Sequence, residues 1–289
     1  MAVKTKQPII KRYFDNVNLK KIEKDFSFLL KQVKDLSNGL EFSIRDNSFN
    51  IYYMGNSLSR ISFEKNGMYK IEISRKFFDG TPAINPKFHT SYSIDKKKVR
   101  YKIILSKKQL HPFFQKKHMT VFKRKIKEAQ FQEETTFEQS LIADNSNRED
   151  IIFIDRQVTD KKWRKKLDLL ALKQLQDNKY YFVVCEVKLG NNPELKDKVY
   201  EQLKGYVDHI DKHFDDYKMC YEENYRQKKK LGLLDEPKYA SIEIVKPVEG
   251  LVVVGGYSGA GEPQIKLLKE KYPKLKIETF FYKLKLKDF

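Results

Sequence analysis

The sequence predicts an α/β protein, with a mixed central sheet flanked by helices in its C-terminal part and a small, mainly antiparallel α+β domain before it. Three observations carry this. Strand-like apolar runs alternate with helical periodicity from residue 151 onward, and short alternating segments separated by turn residues fill the stretch from 40 to 105. The 289-residue chain is also 40% hydrophobic and 13% aromatic, enough apolar material for two cores. The expected domains are 1–127 and 128–289.

In the N-terminal part, Leu19 to Leu36 sets Ile22, Phe26, Leu29, Leu30, Val33 and Leu36 at helical spacing, and Asn38-Gly39 supplies a stop signal. Alternating segments follow from Leu40 to Arg45, Phe49 to Met54, Leu58 to Phe63 and Tyr69 to Ser74. Asp46-Asn47, Gly55-Asn56 and Asn66-Gly67 separate them, residue types that accept the backbone of tight hairpin turns. Asp79 to Pro86 reads as a loop, and Tyr92 to Leu105 as one or two further strands.

In the C-terminal part, Phe131 to Ile142 reads as a helix, with Glu133 and Glu134 near its start, where acids meet the positive end of the helix dipole. Ile151 to Ile154 begins a first strand, Lys166 to Leu172 forms a second and Tyr180 to Lys188 a third. Gly190 to Pro193 is a loop and helix start. The helix beyond it places Leu195, Val199, Leu203, Val207, Ile210 and Phe214 on one face, and Lys228 to Lys230 complements its C-terminal dipole. Gly250 to Gly255 is a short buried strand, Glu262 to Tyr272 an amphipathic helix and Ile277 to Leu286 a last strand.

Glu186 and Lys188 stand out in the apolar third strand. Side chains two apart in a strand share a face, so this acid and lysine project side by side. Asp168 interrupts the second strand in the same way, and the polar connection between the two strands allows a hairpin in which Asp168 meets Glu186. A strand-end ion pair would account for Glu186 and Lys188 alone. Two carboxylates beside a lysine form a hard-oxygen site suited to Mg2+ or Mn2+. The lysine is then available to act on a water while the cation stabilises charge on a phosphate oxygen, a combination that suits phosphodiester hydrolysis.

Asp168, the Glu186-Val187-Lys188 triplet and the following helix with Gln202-Leu203-Lys204-Gly205-Tyr206 together resemble the PD-(D/E)XK nuclease superfamily, which has a restriction-endonuclease-like core. The Gln-x-x-x-Tyr spacing is similar to that of its RecB-like branch. The resemblance covers roughly residues 128 to 289, and the chain has Leu167 where some members place a proline before the first acid. It implies a metal-dependent DNA nuclease, an endonuclease before an exonuclease, with Asp168 and Glu186 binding the ion and the Val187 carbonyl completing its shell. It also implies that Lys188 positions or activates the attacking water, and that Gln202 and Tyr206 flank the active site and help to hold substrate. The family's additional acid on a preceding helix falls on Glu138, with Glu133 and Glu134 as rivals. Defence, restriction and DNA processing all use this core. The same site would serve a ribonuclease, and a chain that kept the fold without catalysis would be a DNA-binding or assembly protein.

The net charge of +19 is unevenly placed. Residues 1–130 hold 29 Lys and Arg against 11 Asp and Glu, a balance of +18, whereas residues 131–289 hold 29 against 28. Basic residues interleave with Tyr and Phe in the first part, the composition expected where phosphates are neutralised and bases stacked. Lys96, Lys97, Lys98, Arg100, Lys123 and Arg124 are the candidate contacts for DNA, or for RNA. The same domain offers a surface for a homodimer or a partner protein.

No apolar run approaches the roughly 18 residues of a membrane span, and the N-terminus lacks the apolar core of a signal peptide, so a cytoplasmic protein with no membrane partner is expected. Cys185 and Cys220 have no framework spacing and fit a reducing compartment, Cys185 as a core residue. His209 and His213 lie one helical turn apart, a zinc-compatible spacing that lacks a third soft ligand and reads as a solvated pair. Gly255 to Gly261 is glycine-rich without the lysine of a P-loop, and reads as a tight turn.

Overall fold

The computed structural model describes residues 7–95, 97, 99–129, 132–163, 165–234 and 237–282. The protein is α/β, with a six-stranded antiparallel sheet and a five-stranded mixed sheet. Its contacts group Lys11–Gln139 with Glu223–Pro237 in an N-terminal unit, and the described residues of Met1–Ile10, Ser140–Glu222 and Lys238–Phe289 in a C-terminal unit. Hydrogen bonds account for the returning segment. The Gln227 side chain accepts from the Phe14 N–H and donates to the Phe14 carbonyl, both at 2.8 Å.

In the N-terminal unit the expected single helix is two, α1 (Asn16–Asp25) and α2 (Ser27–Lys34). The break falls at Phe26, whose ring is fully buried edge-on to Phe49 and Tyr69, each with centroids 5.1 Å away. Such pairs are worth about 0.5–1.5 kcal/mol beyond the area they bury, so core packing outweighs one continuous hydrogen-bond ladder. Asp15 caps α1 by accepting the Asn18 N–H at 2.8 Å.

Four strands follow in hairpins, β1 (Leu40–Arg45), β2 (Ser48–Tyr53), β3 (Asn56–Phe63) and β4 (Tyr69–Ser74). The second turn centres on Met54 and Gly55 (φ 48° and 71°), one residue earlier than Gly55-Asn56 suggests. After the short helix α3 (Arg75–Phe78), β5 (Ser91–Asp95) and β6 (Arg100–Leu105) complete the sheet in the order β1-β2-β3-β4-β6-β5. Helices α4 (Lys107–Phe113) and α5 (Lys116–Ala129) bury Leu110, Phe113, Met119, Phe122 and Ile126 in the same core. Helix α6 (Glu133–Asp144) begins in this unit and ends in the other, with Glu133 and Glu134 in its first turn.

The C-terminal unit contains β7 (Ile151–Val158), β8 (Leu167–Gln176), β9 (Lys179–Leu189), α7 (Val199–Lys212) and α8 (Phe214–Lys230), the last shared with the N-terminal unit. Then come β10 (Glu243–Tyr257), α9 (Ser258–Lys271) and β11 (Lys276–Tyr282). The sheet order is β11-β10-β9-β8-β7, with β7, β8 and β9 antiparallel in turn and β9, β10 and β11 parallel. Parallel neighbours need crossover connections, which α7, α8 and α9 supply. Strand β9 is central and buried at every position from Tyr180 to Lys188, as a strand covered on both faces should be.

Strand β10 begins well before the expected Gly250. Two side chains of α8 satisfy its start: Lys218 Nζ donates to the Ile244 carbonyl at 2.6 Å and Glu222 Oε1 accepts the Ile244 N–H at 2.8 Å. Helix α7 lies so close to β10 that a Cβ on Gly250 would stand 2.9 Å from Leu203 Cγ and 3.2 Å from Val207 Cγ2. Gly250→Ala is therefore expected to destabilise the protein by about 1–2 kcal/mol, the usual cost of modest overpacking, read as a lower denaturation midpoint at constant slope. No helix among the described residues is long and apolar enough to cross a membrane.

Candidate active site

Strands β8 and β9 pair with Leu169 opposite Cys185 and Leu170 opposite Val184. Continued by one residue, this register sets Asp168 opposite Glu186. Both charges of β9 then share a face near its C-terminal end. Lys188 Nζ is 2.7 Å from Glu186 Oε1, 3.5 Å from Glu194 Oε2 and 4.0 Å from Asp168 Oδ2. The Asp168 carboxylate also accepts the Val187 N–H at 3.0 Å, so it is held to the backbone between the two charged residues. Glu186 and Lys188 are 3% and 5% exposed, which makes their mutual neutralisation a condition of folding.

Glu194 enters from a single helical turn, Pro193–Leu195. Asn192 starts that turn by accepting the Glu194 N–H at 3.0 Å, and Pro193 takes the first helical position, where its missing N–H costs nothing. Gln202 Nε2 donates to Glu194 Oε2 at 3.4 Å, while Gln202 Oε1 is buried with no hydrogen-bond partner among the described residues. Tyr206, one turn on, donates its hydroxyl to the Lys166 carbonyl just before Asp168. Burial pushes the Tyr206 hydroxyl pKa up, and the nearby Glu186 and Asp168 charges add to the shift.

Asp168, Glu186, Lys188, Gln202 and Tyr206 thus gather in one place, together with Glu194, which the sequence pattern does not single out. Asn192-Pro193 marks the turn that brings Glu194 back, but strand and helix periods alone do not place its side chain. Glu138 is buried on the portion of α6 that belongs to the N-terminal unit.

On its β10 flank the site is lined by Val252 opposite Glu186 and Val254 opposite Lys188. The strand closes at Gly190, whose N–H donates to the Gly255 carbonyl at 2.8 Å and where a Cβ would lie 2.4 Å from the Tyr257 carbonyl oxygen. Gly255 to Gly261, expected as a turn, is divided between the end of β10 and the first turn of α9.

Asp168, Glu186 and Glu194 offer only oxygens, the donor type that magnesium and manganese take while keeping water. Among the described residues no group of three or more His, Cys, Asp or Glu side chains forms a metal cage. A cation here would rest on two carboxylates and a backbone oxygen, with water and substrate oxygens completing its shell, a common arrangement for magnesium. Cys185, on the opposite face of β9, is fully buried, and burial raises its thiol pKa to about 12, so it is no nucleophile.

The loop that delivers Asp168 has its own anchor. The fully buried Asp160 carboxylate accepts from His209 Nε2 at 2.6 Å, the Tyr217 hydroxyl at 2.8 Å, and the backbone N–H groups of Lys162 and Trp163 at 2.7 Å each. Trp163 packs 4.6 Å from the His209 ring. His209 is consequently part of a buried polar cluster, a correction to its reading as a solvated residue. Its burial comes from a loop 49 residues away in sequence.

The basic candidates lie in the N-terminal unit. Lys97 is in the turn between β5 and β6, and Arg100 starts β6 opposite Asp95; Lys96 and Lys98 fall outside the described residues. Lys123 is turned into its own unit, donating to Asn38 Oδ1 at 3.2 Å with its ammonium 5.5 Å from the Tyr53 ring centroid, and burial lowers its pKa. Arg124 is exposed on α5 and pairs with Glu128 at 3.0 Å. Lys116, Lys117 and Lys127 are also exposed on that helix.

No family model, curated protein or solved structure matches the chain.

Proposed function

We propose that this protein is a metal-dependent DNA nuclease with a restriction-endonuclease-like C-terminal core, as its resemblance to PD-(D/E)XK enzymes implies. The observation that carries the reading is Lys188: a buried ammonium within 4.0 Å of three carboxylates, on a strand end where Asp168 faces Glu186. A purely structural lysine needs one partner. Three acids around one cation leave negative charge in excess, which suits a site that takes up a second cation.

In this reading Asp168 and Glu186, with the Val187 carbonyl, hold Mg2+ or Mn2+, which when bound stabilises the charge that builds on the phosphate. Lys188, charged among the three acids, orients the attacking water by donating to it from Nζ. Glu194 keeps Lys188 neutralised when Glu186 turns to the cation, and Gln202 holds Glu194 in place. Val252 and Val254 keep that flank of the site dry, so each charge acts through a low dielectric.

Incubating the purified protein with supercoiled, linear, single-stranded and junction DNA and with RNA, with and without Mg2+ or Mn2+, tests this. Metal-dependent DNA cleavage is expected, and closed circles distinguish endonuclease from exonuclease action. Cleavage confined to RNA would move the assignment to a ribonuclease, and the absence of any metal-dependent cutting would overturn it.

The basic N-terminal unit is assigned the grip on nucleic acid. Reversing Lys97 and Arg100 to Glu is expected to weaken duplex binding and lower the slope of log affinity against log salt by about 0.9 for each phosphate no longer neutralised. An unchanged slope would show that this hairpin faces something other than phosphate.

A further inference from the structure

Helix α7 presents a second set of side chains apart from the carboxylate site. Gln202 and Tyr206 belong to that site, whereas Tyr200, Leu203, Lys204 and Val207 recur at the three- and four-residue spacing of another stripe and line a groove of about 490 Å³. The far wall is the connection from α9 to β11, Lys271 to Lys276, and Gly250 of β10 contributes to the lining. At the groove Tyr200 stacks on Tyr272 with ring centroids 3.7 Å apart and planes 12° from parallel.

The charged side chains that line this apolar surface are lysines. Lys204, Lys271, Lys274 and Lys276 line the groove, and among the described residues no acid does. Lys204 and Lys276 are paired, each at 2.7 Å, with Asp208 and Glu249, neither of which lines it. The Lys271 ammonium sits 5.2 Å from the Tyr272 ring centroid, and both Lys271 and Lys274 are exposed. A tyrosine pair that served only to hold the end of α9 against α7 accounts neither for Lys271 and Lys274 nor for the open volume beside it. Aromatic faces next to cations are how proteins hold single-stranded nucleic acid, and the volume suits one nucleotide.

We infer that this groove binds a nucleotide unit of a single strand, with the base against the Tyr200–Tyr272 wall and the phosphate between Lys271 and Lys274. The C-terminal unit thereby takes its own hold on the strand, in addition to any grip by the basic N-terminal unit. Binding in the groove does not depend on the carboxylate site.

The test is fluorescence anisotropy of labelled oligothymidylate with the full chain in EDTA, so the outcome stands apart from whether the protein cleaves. Tyr200→Ala with Tyr272→Ala is expected to weaken binding about 10-fold or more, while Phe at both positions keeps it. Lys271→Gln with Lys274→Gln, both at exposed positions, should lower the log–log salt slope by about 0.7 for each phosphate no longer neutralised. Circular dichroism monitors folding of the alanine pair, and the phenylalanine and glutamine pairs keep the test decisive if that variant unfolds. Unchanged oligothymidylate affinity in the folded alanine pair, or loss of affinity in the phenylalanine pair, would overturn the inference. So would an unchanged salt slope in the glutamine pair. A base-free polyanion such as polyphosphate losing as much affinity to the alanine pair as oligothymidylate does would overturn it as well, because charge alone would then account for binding.

Discussion

Lys188→Ala, Asp168→Asn and Glu186→Gln are each expected to reduce metal-dependent DNA cleavage on the order of 10²-fold or more, the scale at which a group that positions the nucleophile or a ligand for the cation contributes. The three substitutions should differ in their effect on folding. Glu186→Gln keeps an oxygen for Lys188, and Asp168→Asn keeps shape and can keep an acceptor for the Val187 N–H. Lys188→Ala removes the cation that neutralises the 3%-exposed Glu186, and breaking a buried pair from one side costs about 3–5 kcal/mol. Lys188→Ala should therefore lower stability as well as rate, whereas the two amide variants should lose rate with much smaller changes in denaturation midpoint. Cutting retained by all three, with folding intact, would remove the nuclease assignment.

Asp160→Ala is expected to destabilise the protein by about 3 kcal/mol or more. The substitution strands the His209 imidazole, the Tyr217 hydroxyl and two backbone N–H groups, and each buried donor left unmade costs about 1–3 kcal/mol, more when an ionised partner is lost. The effect depends on pH. Burial alone would raise the Asp160 pKa, but hydrogen bonds from His209, Tyr217, Trp163 and Lys162 outweigh it and the folded carboxyl lies below its ordinary value. A lowered folded pKa means that the contribution is fully present above the unfolded value of about 3.9 and is lost as pH falls through the folded one. The stability gap between parent and variant should accordingly narrow in acid below about pH 4, measured by urea denaturation at several pH values. A gap that does not change down to about pH 2 would show that the ionised carboxylate is not what holds the loop.

Much of this architecture is legible in the amino-acid sequence, and the reasons are local. Period-two alternation puts Glu186 and Lys188 on one face whatever else the strand does, and a short polar connection makes Asp168 their natural neighbour. The hairpins of β1 to β4 follow from turn residues that tolerate positive φ. What could not be read depends on distant segments. Phe26 divides α1 from α2 because Phe49 and Tyr69 hold its ring, β10 starts early because Lys218 and Glu222 of α8 satisfy Ile244, and segment 223–237 joins the N-terminal unit through Gln227 on Phe14. Asp160 and His209 are individually ordinary polar residues, and only the fold makes them one buried cluster. Lys123 likewise counts as a surface charge in composition but directs its cation to Asn38 and Tyr53.

The strand, turn and helix that run from Glu186 through Lys188, Glu194 and Gln202 to Tyr206 form one unbroken stretch of chain, and Asp168 joins it from the neighbouring strand β8. A recombination event that carried the segment from β8 to α7 would carry the whole group of charges with it.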